Sequence, residues 1–176
     1  MSTVQNTVFP ADFSSIDIDI INKVLPYTIV SVERLHSVIE SVRYIVRNNI
    51  PGVFVECGVY KGGCIMAIAY TLMSEGVQDR EIYLYDTFEG MPEPTEKDVD
   101  FQGNKASNKF EQLKRSNDSS DWVYCSLEQV QNNISQTMYP KDKIQYVKGM
   151  VERTIPQTIP SEIAMLRLDT DWYSST

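Results

Sequence analysis

The sequence predicts an α/β protein: a Rossmann-like, doubly wound parallel sheet with helices on both faces. Three observations carry that prediction. Short apolar runs rich in β-formers alternate with stretches of helical period. Two of those runs stop at an acid, FVECGVYKGG (54–63) at Glu56 and EIYLYD (81–86) at Asp86. The stretch between them, residues 64–73, is apolar nearly all round, as a helix buried against a parallel sheet must be.

Taken in order, residues 1–26 read as an amino-terminal arm or lid, because the first fifteen are polar and irregular, and residues 27–176 as a partial domain. Ser31 opens SVERLHSVIESVRYIVRNNIPG, in which Val32, Leu35, Val38, Ile39, Val42, Ile45 and Val46 recur at helical spacing. Ser31 can cap the first turn, Glu33 suits the positive end, and Pro51-Gly52 is expected to stop the helix. His36, the single histidine, falls beside the apolar stripe and reads as structural. The first strand starts at Val53, the buried helix ends at Gly76, and the second strand covers 81–86. Residues 91–121 are polar with one short helical piece at 106–115, a loop long enough to be a mobile lid or insert. Ser126 opens the helix SLEQVQNNI with Gln129 in capping-box position, and strands follow at 143–149 and 163–169. The last run would leave an uncovered apolar sheet edge, so further strands are expected beyond Thr176.

In such a sheet a ligand sits at the carboxyl ends of the strands. The glycine spacing, Gly58-x-x-x-Gly62-Gly63, is not the G-x-G-x-x-G that brings a pyrophosphate onto a helix, and Glu56 would repel phosphate while suiting an ammonium group. S-adenosylmethionine, with an ammonium, a sulfonium and no phosphate, therefore fits better than NAD. Asp86, 24 residues beyond Gly62, can accept from both ribose hydroxyls; the alternative is that it caps the DTFEG turn while the glycines serve only packing. Asp169 and Asp171 end the last strand, and alternation points both carboxylates one way. Such a pair suits a hard divalent cation beside a substrate oxygen, with the second acid left to take a proton. Trp172 and Tyr173 could wall an acceptor or simply pack.

Composition narrows the partners. A formal charge of −8 without a basic stripe argues against nucleic acid and anionic membranes. No apolar run approaches a membrane span, and the polar start lacks a secretory signal, so the expected location is cytoplasmic. Cys57, Cys64 and Cys125, without paired ligand spacing, read as buried thiols.

The blocks VFVECGVYKGG, YLYDTFEGMPEP, SLEQV, VKGMVERTIP and LRLDTDWYSST, in that order from about Tyr27, resemble the macrocin O-methyltransferase family, class I enzymes that methylate sugar hydroxyls of macrolide and aminocoumarin antibiotics. The resemblance implies S-adenosylmethionine binding by Glu56, Gly58, Tyr60, Gly62, Gly63, Asp86 and Thr87, with Ser126 and Gly149 near the adenine. It implies Asp169 as a Mg2+ ligand and Asp171 as the base. The family's other two metal ligands are adjacent acids on the next strand, so this chain alone is expected to bind Mg2+ poorly and turn over little. A small-molecule hydroxyl acceptor follows, and a homo-oligomer is compatible. Two rivals stand beside this reading: a nicotinamide-dependent oxidoreductase, which lacks its glycine signature here, and a catalytically silent cofactor-binding or assembly domain.

Overall fold

The computed structural model describes residues 9–116 and 119–175. Four parallel strands form the main sheet, β1 (Val53–Cys57), β2 (Ile82–Asp86), β5 (Ile144–Lys148) and β6 (Ile163–Leu168), in the order β5-β2-β1-β6. The chain moves outward from β1 to β2 to β5 and then returns to the opposite side of β1. The order therefore reverses between β1 and β6, the position at which open α/β sheets hold their ligands.

One face carries the main core. Helix α3 (Gly63–Ser74) lies on it with Ile65, Met66, Ala67, Ile68, Ala69 and Leu72 all buried, packed against helices α1 (Ser15–Val24), α2 (Val32–Arg47) and α5 (Leu127–Ser135). Each large side chain of this kind contributes roughly 1.5–3 kcal/mol by leaving water. The opposite face is thinner. Val55, Cys57 and Tyr85 pack there against Val151 of the short helix α6 (Val151–Thr154). Leu166 and Leu168 of β6, in register with Val55 and Cys57, stay 53% and 47% exposed on that face. The insert between β2 and α5 holds α4 (Ala106–Leu113) and a small hairpin of β3 (Lys114–Ser116) and β4 (Ser119–Ser120).

The arm expected over residues 1–26 is corrected in its second half. Ser14 caps α1 through a capping box with Asp17, and Ile20, Ile21 and Val24 point into the core at helical spacing. Residues 1–8 lie outside the described residues. Arg43 of α2 pins α1 in place, 2.5 Å from Asp17 and 2.6 Å from Glu40. His36 stacks on Phe13 with ring centroids 3.8 Å apart, a structural role as expected. Helix α2 ends at Arg47, earlier than Pro51 requires, because the Asn48 side chain donates to the Tyr44 carbonyl and Asn49 turns left-handed. All three cysteines are buried and free. Among the described residues no helix is long and apolar enough to cross a membrane.

Candidate active site

A cavity of about 290 Å3 opens at the carboxyl ends of β1, β2 and β6, over the reversal point. Glu56, Gly58, Tyr60, Asp86, Thr87, Gly149, Asp169 and Asp171 all line it, so most of the predicted site residues come together. Three do not reach it. Gly62 caps α3 in a left-handed conformation against Ile134, Gly63 packs against Tyr27 and Thr28, and Ser126 is occupied in its capping box with Gln129. They shape the loop and helices around the cavity rather than its wall.

Gly58 is where glycine is indispensable. Its φ is +83°, and a Cβ there would run into the Asp169 carbonyl oxygen and lie 2.8 Å from the carbonyl carbon. That contact, with the Asp169 amide donating to the Cys57 carbonyl at 2.8 Å, locks the acid turn after β6 to the glycine loop after β1. Asp86 locks the same loop from the other side. Its Oδ2 accepts from the amides of Val59 (2.6 Å) and Tyr60 (3.3 Å), and its Oδ1 from Phe88 (2.7 Å). The turn-capping alternative is thus realised, and the lone-pair capacity left on the carboxylate is what a ribose hydroxyl would use. Thr87 braces the turn by donating to the Gly90 carbonyl.

Glu56 does not face the cavity as a bare acid. It is 1% exposed, and Arg167, opposite it in the β1–β6 register, donates to its Oε1 at 2.5 Å and also reaches Asp169 Oδ2 at 2.9 Å. Its other oxygen, Oε2, is buried without a partner. Burial pushes the Glu56 carboxyl up to about 8 despite the pull of Arg167, with Asp169 and Asp86 adding to the rise. Burial also works against the charge of Arg167, but Glu56 holds it protonated. Arg167 went unrecognised in the sequence, although a lone cation inside the apolar run IAMLRL was the signal. The segment 28–30 and Arg34, which form another wall of the cavity, carry no comparable mark.

Asp171 sits at a junction. It lines the first cavity and also a second, of about 680 Å3, walled by α4 and Trp122; Trp172 borders both. Asp171 keeps contact with solvent, yet partial desolvation in the cleft and the charge of Asp169 push its carboxyl up. The insert expected at 91–121 is docked over this junction. Trp172 Nε1 donates to the Pro92 carbonyl at 3.0 Å and its ring meets Trp122 edge-on at 5.4 Å. Buried Asp98 accepts from the Tyr173 amide at 2.7 Å. Tyr173 itself points away, its ring under the Lys97 ammonium at 4.4 Å. Among the described residues the one three-member group of metal-capable side chains is Asp17, His36 and Glu40; none of the three lines this cavity, and Arg43 already engages both carboxylates.

Residues 14–176 match the model of a family described as "Macrocin-O-methyltransferase (TylF)". The chain belongs to this family. It is 28% identical over 150 residues to demethyldecarbamoylnovobiocin O-methyltransferase of Streptomyces niveus, covering 85% of this chain and 54% of that protein. It is 29% identical, over the same share of its own length and 56% of the relative, to mycinamicin III 3''-O-methyltransferase of Micromonospora griseorubida. The chain thus spans about half the length of the curated relatives it matches. Among solved structures, the O-methyltransferase NovP superimposes with a TM-score of 0.69 at 28% identity, over 85% of this chain and 58% of that one. The calicheamicin methyltransferase CalS11 shares the fold, with a TM-score of 0.55 at 17% identity, over 96% and 71% of the two chains.

Proposed function

We propose that this chain forms the donor-binding part of an S-adenosylmethionine-dependent, Mg2+-assisted O-methyltransferase. Its substrate would be a hydroxyl of a small molecule, a sugar or natural-product glycoside. One observation carries the reading: Asp171 stands where two adjoining cavities meet, so that a base reaches both a donor site and an acceptor site. The relatives named above act on hydroxyls of natural products, which supports the same acceptor class.

The donor set fits the absent groups. An unpartnered carboxylate oxygen, Glu56 Oε2, suits an ammonium, and Gly58 lets the acid turn after β6 close against the loop that lines the cavity. Two carboxylates at one strand end suit Mg2+, which keeps several waters and needs few protein oxygens, although Arg167 already shares Asp169. When bound, S-adenosylmethionine supplies an electrophilic methyl group and Mg2+ lowers the pKa of the acceptor hydroxyl. The residues of the chain do the rest. The loop held by Asp86 orients the donor, and Asp171, made more basic by partial desolvation and by Asp169, accepts the hydroxyl proton. Trp122, with the Lys109 ammonium over its ring, and the edge of Trp172 border the second cavity, where a sugar ring could pack. The three buried free thiols are compatible with a reducing, cytoplasmic setting.

Calorimetric titration with S-adenosylmethionine and with NAD, followed by labelled-methyl transfer onto a panel of glycosides with and without Mg2+, tests the reading. Binding of S-adenosylmethionine and not NAD is expected, with slow labelling that depends on Mg2+. Binding of NAD in its place would refute it, and donor binding with no labelling of any glycoside would leave a silent binding domain.

A further inference from the structure

We propose that Arg34 binds the α-carboxylate of the methyl donor's amino-acid tail, while Glu56 takes the α-ammonium of the same tail. The inference rests on the reading of the first cavity as an S-adenosylmethionine site and assigns its one basic contact.

Among the described residues Arg34 is the sole lysine or arginine that lines this cavity, whereas Glu56, Asp86, Glu152, Asp169 and Asp171 all contribute acids to it. A cation set in such a ring would ordinarily be drawn into an ion pair, as Arg167 is with Glu56 and Asp169. The Arg34 guanidinium makes no hydrogen bond or ion pair with any described residue; only its backbone amide is engaged, capped by Ser31. A planar guanidinium free of partners, at the mouth of a cavity, presents two parallel N–H donors that match a carboxylate.

The second observation is Glu56 Oε2, on a side chain almost fully buried and without a partner. An α-amino acid carries its ammonium and its carboxylate on one carbon, so a site that holds it needs an acid and a base facing one space. Glu56 and Arg34 are such a pair, and a polyanion such as a pyrophosphate would meet five acids for one arginine. Their spacing is also fixed by the fold. Gly63, at the start of the helix that follows β1, has no room for a Cβ, which would lie 2.6 Å from Thr28 Cβ and 2.8 Å from the Tyr27 carbonyl. That close packing fastens the segment leading into α2, and with it Arg34, to the same strand-to-helix connection that begins with Glu56.

The test compares S-adenosylmethionine with its decarboxylated analogue, S-adenosyl-3-methylthiopropylamine, by calorimetry on the wild type, Arg34→Met and Arg34→Lys. The wild type should bind the analogue about tenfold more weakly, the low end for a hydrogen bond to a charged group because Arg34 is exposed. Arg34→Met should lose about tenfold for S-adenosylmethionine and nothing for the analogue, which erases the preference; Arg34→Lys should keep part of it. Since the variant must still bind the analogue, misfolding cannot mimic this result. An unchanged preference in Arg34→Met overturns the assignment alone, and failure of the wild type to bind S-adenosylmethionine overturns it together with the reading on which it rests.

Discussion

Replacing Glu56 by Gln should change how stability depends on pH. Burial raises the folded-state pKa of Glu56 from about 4.5 to about 8. A carboxyl whose folded pKa is raised favours the fold when protonated, so its contribution is complete below about pH 4.5 and is lost as pH rises through 8. A one-unit pKa difference corresponds to about 1.4 kcal/mol. Between pH 5 and pH 8 the wild type should therefore lose roughly 4 kcal/mol relative to Glu56→Gln, which has the shape of the protonated acid and cannot titrate. At pH 5 the two proteins should lie within about 1 kcal/mol of one another, the worth of a hydrogen bond to Arg167 gained or lost. Asp17 and Asp98, whose folded pKa values are lowered, act only at more acidic pH, and Asp171 contributes equally to both proteins. Urea unfolding followed by the fluorescence of Trp122 and Trp172 at pH 5, 6, 7 and 8 measures the difference. Parallel stability profiles, or a wild type that gains on the variant as pH rises, would refute the reasoning and show that Arg167 keeps Glu56 ionised throughout.

Four further outcomes follow from the same structure. Binding of S-adenosylmethionine at pH 7 should release protons as the donor's ammonium lowers the pKa of Glu56, seen as a dependence of calorimetric heat on buffer ionisation enthalpy; heats that ignore the buffer would count against it. Gly58→Ala should cost about 2–4 kcal/mol, through left-handed strain and collision with the Asp169 backbone, whereas Gly76→Ala, with φ +76° but open space around it, should cost only about 1–2 kcal/mol. Equal losses in denaturant unfolding would remove the argument for a locked corner. Cys57 and Cys64 are buried with thiols pushed up to about 11 and 12, so a disulfide-exchange reagent at pH 8 should label them only as fast as the protein opens; labelling within seconds would contradict their burial. Asp171→Asn should lower methyl transfer by about 10²–10⁴ while leaving donor affinity within a few fold, and an unchanged rate would move the base elsewhere.

The strands and the sites at their ends were legible because their signals are local. A run of β-formers stopping at an acid, as at Glu56 and Asp86, names its own strand and its own end, and the capping box of Ser126 and Gln129 does the same for a helix. What sequence could not show was how charges pair across strands. Glu56 looked like an acid waiting for a cation, but its register partner 111 residues later is Arg167, and only strand pairing brings them to 2.5 Å. Asp86 likewise spends its oxygens on loop amides that no spacing rule marks. Helix α1 was missed because SIDIDI alternates like a strand; its helical face starts only with Ile20, Ile21 and Val24, near the end of the element. The residues 28–30 and Arg34 belong to the site through packing against Gly63, a contact between distant parts of the chain.

The burial of α1 bears on where the independently stable piece of this protein begins. Trimming the first 26 residues as a dispensable tail would strip Ile20, Ile21 and Val24 from the interior and leave Arg43 facing a vacated carboxylate. Ser14, the cap of α1, is also the residue at which the family match starts. Phe9 and Phe13, just ahead of that cap, pack against the same core, so deletion series and tag placement should keep residue 9 onward and not cut at residue 27.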